Sequence, residues 1–124
     1  MIFGDKATKI EHSIQKGQSS KLIPLLKDKN LDVRIKAIQG LGKIGDDHAI
    51  NALIGLLSDP DQTIRMETIK SMGDTGNQTV RSHLQHLIQT ETDDTMKKAI
   101  REAIARIPAR DYSSKKIDVL EADL

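Results

Sequence analysis

The chain has 124 residues, of which 37% are hydrophobic, 30% charged and 2% aromatic, with no cysteine, a length that fits one compact domain. Its 19 basic and 18 acidic residues nearly cancel, so whole-chain charge argues neither for nucleic acid nor for an acidic partner, and the lack of cysteine excludes a disulfide scaffold, a thiolate nucleophile, an iron–sulfur cluster and a cysteine-ligated zinc. No apolar run approaches the roughly 20 residues of a membrane span and the apolar stretch at the N-terminus is too short for a signal peptide, which leaves a soluble cytoplasmic domain as the expectation.

Residues 5–16, with Ile10 and Ile14 on one face, predict a lone N-terminal helix. From residue 19 the chain repeats itself. An offset of 31 carries Leu22-Ile23-Pro24-Leu25-Leu26-Lys27-Asp28 onto Leu53-Ile54-Gly55-Leu56-Leu57-Ser58-Asp59, Val33-Arg34 onto Ile64-Arg65, and Leu41-Gly42-Lys43-Ile44-Gly45 onto Met72-Gly73-Asp74-Thr75-Gly76. A weaker third copy, with one extra residue between 89 and 95, runs through Leu84, Leu87, Ile88, Met96 and Ile104 to Ile107. The predicted units are about 19–45, 46–76 and 77–107 within a solenoid spanning 1–108, and each reads as two helices. The second helix carries a stripe at helical period: Val33, Ala37, Gly40, Leu41 and Ile44 in the first unit, Ile64, Thr68, Ser71, Met72 and Thr75 in the second, Met96, Ile100, Ala103, Ile104 and Ile107 in the third. Asp59-Pro60-Asp61 marks a turn and helix start. Gly45 and Gly76 stand where a left-handed C-terminal cap favours glycine. Pro108 ends the last helix, and 109–124 is a tail in which Lys115 to Leu124 has the apolar spacing of a short helix (Ile117, Leu120, Leu124).

The pattern from Leu25 to Gly45, Leu-Leu-x-Asp-x-x-x-x-Val-Arg-x-x-Ala-x-x-x-Leu-Gly-x-Ile-Gly, resembles a HEAT repeat, and is similar to the short HEAT-like repeats of phycobilin lyases. The resemblance implies an all-α fold, a right-handed α–α superhelix of about three helix pairs with an N-terminal capping helix. It also implies that Asp28/Arg34, Asp59/Arg65 and, by charge sign, Glu91/Lys97 form a ladder of charge-assisted bonds between the turns of successive units, a structural role rather than a catalytic one.

Signals for chemistry are weak. Gly40-x-Gly42-x-x-Gly45 fits the dinucleotide fingerprint but closes a helix instead of linking a strand to one. His83 and His86 share a helix face, yet two imidazoles without a nearby carboxylate fall short of a metal site. The di-iron hydroxylases built from HEAT repeats use His-Glu pairs, and this chain has no His-Glu dipeptide. No serine sits in a nucleophile elbow, and no acid/base pair stands out among the surface carboxylates. No enzyme activity, cofactor or metal is therefore expected.

Function should then lie on the surface the units share. The resemblance places the second helices on the concave side. At about 100° per residue, the positions opposite the core stripe are Asp32, Ile35, Gln39 and Lys43, then Thr63, Met66, Lys70 and Asp74, then Thr95, Lys98, Glu102 and Arg106. Ile35 and Met66 are expected exposed side by side in a rim of mixed charge, as at protein interfaces. The expected partner is another protein, and the Met96, Ile100 and Ile104 stripe, read as the outer face of the C-terminal unit, offers a surface for a homodimer or for stacking on a partner if the tail leaves that end uncovered. Two alternatives are a bilin lyase-like subunit or chaperone handling a tetrapyrrole, and nucleic-acid binding through the stretch from Lys97 to Lys116, where seven basic residues meet two acidic ones. Without aromatics for stacking, the nucleic-acid reading is the weaker of these.

Overall fold

A computed structural model describes the backbone of residues 2–109 and the side chains of residues 6–109. Its elements are α1 (Ile2–Gln15), α2 (Ser19–Leu22) continuing into a 3₁₀ helix (Ile23–Lys27), α3 (Leu31–Ile44), α4 (Asp47–Leu56), α5 (Gln62–Asp74), α6 (Gln78–Thr90) and α7 (Asp94–Arg106). No strand occurs among the described residues. The expected tail from residue 110 onward, with its short helix, lies outside them.

Short polar side chains write the helix starts. Asn30, Asp61 and Asp93 occupy the same place in the three units and cap α3, α5 and α7 by accepting from Asp32 N, Thr63 N and Met96 N at 2.8–2.9 Å. Asp46 and Asn77 do the same for α4 and α6. Each satisfies an N–H that the helix itself leaves without a partner. At the other end Gly45 and Gly76 take φ of +62° and +64°, a conformation that costs glycine nothing. The first helix of the first unit is broken in type, because Pro24 has no N–H for the α-helical ladder and the turn tightens to 3₁₀.

The second helices pack on one another in sequence, α1 on α3, α3 on α5 and α5 on α7. Two equivalent close approaches set this spacing. A Cβ on Gly42 would lie 2.5 Å from the Ser71 carbonyl oxygen, and one on Gly73 would lie 3.1 Å from Ala103 Cα. Gly42 and Gly73 are register mates, as are Ser71 and Ala103. The core is filled by Leu22, Ile38, Leu41, Leu53, Ile69, Met72, Val80, Leu84, Ile100 and Ile107, all buried. Ile38 and Ile69 fall outside the predicted stripe. That stripe traces contacts within a unit, whereas their equivalence to each other marks a position buried between units.

The N-terminal helix is more than an isolated cap. An offset of 28 places Ile10, Ile14 and Gly17 on Ile38, Gly42 and Gly45. Ile10 is buried like Ile38, Ile14 meets Gly40 as Gly42 meets Ser71, and Gly17 has φ +66°. By these three marks α1 is the second helix of a further unit, in register with the rest.

Candidate functional site

The two helix layers differ in how closely they pack. Second helices touch through glycine and small residues. Between the first helices α4 and α6 there is instead a cleft of about 260 Å³, lined by residues including Ile50, Ile54, Asn77 and His83. α3, α5 and α7 thus form the closely packed layer, and α4 and α6 the more open one.

Of the residues anticipated there, Asp32, Gln39, Lys43, Thr63, Lys70, Asp74, Thr95, Lys98, Glu102 and Arg106 are exposed on α3, α5 and α7. Ile35 and Met66 are not the exposed pair expected. Both are half-buried, and Met66 packs against the core, because the close approach at Gly42 leaves little open space between α3 and α5. The large apolar residue that stands most open among the described ones is Leu31, 37% exposed. Its register mates Gln62 and Asp94 are polar, a contrast the repeat alignment already contained.

Several of these side chains are engaged with each other. Gln39 Nε2 donates to Glu67 Oε2 at 3.4 Å across the α3–α5 boundary. Arg106 pairs with Asp74 across the α5–α7 boundary. Lys98 lies 4.0 Å from Glu102 along α7. Two cations of the basic C-terminal stretch are thus partly neutralised within the surface, which weakens the electrostatic footprint a phosphate backbone requires.

The expected ladder takes a different form. No ion pair joins Asp28, Arg34, Asp59, Arg65, Glu91 and Lys97 among the described residues. Each acid instead closes its own turn: Asp28 Oδ1 accepts from Asn30 N (2.9 Å), Asp59 Oδ1 from Asp61 N (2.9 Å), and Glu91 Oε2 from Asp93 N (3.1 Å). Arg65 Nη1 donates to the Asp59 and Pro60 carbonyls at 2.7 and 3.1 Å. A carboxylate one or two methylenes from the backbone reaches an N–H two residues on more readily than a neighbouring unit. The acid holds the residue that caps the next helix. Asp28 has a further partner, Lys6 Nζ at 2.8 Å. That bond first, then the Asn30 N–H, holds its carboxyl below the ordinary value.

The stripe proposed for self-association is also corrected. Met96 and Ile100 are buried and Ile104 half-buried, all facing the core. The onward side of α7 carries Arg101, exposed where Ile38 and Ile69 are buried. From α6, Arg81 Nη1 donates to the Ile104 carbonyl at 2.7 Å and to that of Ile107, and Gln78 Nε2 to that of Pro108 at 2.7 Å, closing the end of α7. No group of three or more His, Asp or Glu able to hold a metal occurs among the described residues, His83 and His86 included.

Helix pairs stacked through their second helices, with an acid and a capping Asn or Asp in the turn inside each of the three units, define an α-solenoid of short repeats. The chain belongs to the HEAT repeat family, whose model matches residues 19–105. The match is to HEAT repeats as a class and does not single out the phycobilin lyase type. No curated protein matches the chain. HEAT repeats commonly serve as protein-interaction scaffolds and are generally non-catalytic. No helix among the described residues is long and apolar enough to cross a membrane.

Proposed function

We propose that the protein is a non-catalytic interaction module that holds another protein along the inner face of α3, α5 and α7. The observation that carries this reading is the composition of that face: Leu31 exposed at the start of α3, with exposed Asp32, Gln39, Lys43, Lys70 and Lys98 of both charge signs on the same helix layer. Mixed charge gives a partner orientation and on-rate more than raw affinity. The absence of cysteine suits a reducing compartment such as the cytoplasm.

The test is affinity capture from the native organism with three full-length baits: wild type, Leu31→Asp with Lys70→Glu, and Gln89→Arg on the first-helix layer. A protein held by wild type and by Gln89→Arg but lost with the double variant, at unchanged helicity, supports the reading. Equal retention by all three baits removes the inner face as the binding surface.

A further inference from the structure

Beside α1 the described residues leave an open groove. In the first unit, α2 and the 3₁₀ helix cover α3, and a Cβ on Gly40 would lie 2.8 Å from Leu22 Cδ1. The α3 residues facing that cover are Ala37, Gly40, Leu41 and Ile44, small or apolar throughout. In the register that joins the two helices, the same positions of α1 are Lys9, His12, Ser13 and Lys16. Of these, Ser13 is buried where α2 packs against α1, while Lys9, His12 and Lys16 stay exposed. A groove of about 850 Å³ runs there, between α1 and the start of the first unit, lined by Lys9, His12, Ser13, Lys21, Pro24 and Leu25 among others.

We infer that this groove is a docking site for an acidic amphipathic helix of a partner protein. The shape is that of a first-helix seat. The chemistry is changed from apolar to cationic along α1, while Pro24 and Leu25 keep an apolar floor. Charge around the groove is one-sided: residues 6–29 hold six lysines (Lys6, Lys9, Lys16, Lys21, Lys27, Lys29) against Glu11 and Asp28. Asp28 is already matched by Lys6 at 2.8 Å, and among the described residues no carboxylate lines the groove beside Lys9 on α1 and Lys21 on α2. A helix laid in with leucines downward and glutamates toward both walls satisfies the seat and the charge together. This site is separate from the inner face, so either can fail alone.

The experiment uses the full-length protein, isotope-labelled for NMR, and two synthetic amphipathic helices with leucine at every third or fourth position and either glutamate or lysine elsewhere. The glutamate peptide is expected to shift the amides of α1, α2 and the 3₁₀ helix, to bind more weakly as salt rises, and to lose about tenfold or more in affinity with Lys9→Glu plus Lys21→Glu. The lysine peptide is expected to leave those amides in place. A neutral pair, Lys9→Gln with Lys21→Gln, should fall between wild type and the reversed pair, and circular dichroism checks that the helices persist. Shifts centred on α3 to α7, undiminished binding by the reversed pair, or no binding by the glutamate peptide overturns the inference. So does occupation by the chain's own acidic residues Asp118, Glu121 and Asp123, which would show as α1 shifts when those three are reversed in charge.

Discussion

Arg106 on the last helix pairs with Asp74 on α5, and its Nη1 also donates to the Lys70 carbonyl at 3.2 Å. This one side chain therefore binds two points of the neighbouring unit. In the repeat register Lys43, Asp74 and Arg106 share a column whose sign alternates along the array. The pair is partly open to water, with side-chain exposures of 51% and 32%, so its coupling is that of a surface ion pair. A double-mutant cycle with Asp74→Asn and Arg106→Gln should give about 0.2–1 kcal/mol of interaction energy, shrinking as salt is added. A coupling of zero at low salt would leave the carbonyl contact as the only tie between the two units at this point.

Glycine-to-alanine substitution should change sign between two helices. At Gly42 the new Cβ meets the Ser71 carbonyl at 2.5 Å, a backbone atom that cannot swing aside. Gly42→Ala should cost about 1–3 kcal/mol in urea unfolding. Gly55 in α4 has nothing within 4 Å of the same atom, so Gly55→Ala should stabilise by about 0.5–1 kcal/mol. If both variants unfold alike, the α3–α5 contact is looser than described.

The turn acids give a test between two roles. Asp59→Asn keeps an oxygen for Asp61 N–H but removes the charge, whereas Asp59→Ala removes both. If the turn bond is what matters, the first should stay within about 0.5 kcal/mol of wild type and the second should cost about 1 kcal/mol. Equal losses in thermal unfolding would restore the ion-pair ladder as the working explanation.

Acid should weaken the N-terminal end through Asp28. Its carboxyl is held below the ordinary value of 3.8 by Lys6 and the Asn30 N–H. A group whose folded value is depressed adds stability that is complete above the unfolded value and is lost as pH falls through the folded one. The wild-type advantage over Asp28→Asn in melting temperature should hold at pH 6 and narrow below about pH 4. A gap independent of pH would assign the effect to something other than ionisation.

Much of this architecture is legible in the sequence, because a repeat supplies its own controls. The three stripes, the cap at Asp61, and the left-handed glycines at 45 and 76 follow from local chemistry that is the same in isolation and in the fold. Residues that face a neighbouring unit are harder to read. Ile38 and Ile69 sit off the stripe that one helix pair defines, and Ile35 and Met66 lose their expected exposure to the close approach of two helices. The turn acids mislead for another reason, since the HEAT-repeat resemblance implies a ladder between successive turns while the nearer backbone N–H takes the carboxylate. The register of α1 is hidden by an offset of 28 where the other units keep 31 or 32, and by polar residues at the positions that would have matched.

The asymmetry between the two helix layers has a mechanical consequence. Glycine contacts bring the second helices close together, while a cleft separates α4 from α6. The array is thus a leaf spring hinged along its inner edge. The bonds from Asp28, Asp59 and Glu91 to the capping N–H groups lie inside single turns, whereas Lys6–Asp28 and Ser19–Asp46 cross between helix pairs and are loaded when the layers move. A ligand seated on the inner face therefore works against the stiff side of the spring, and one wedged into the outer clefts works against the soft side. Changes in curvature are easiest to drive from the surface opposite the one that binds.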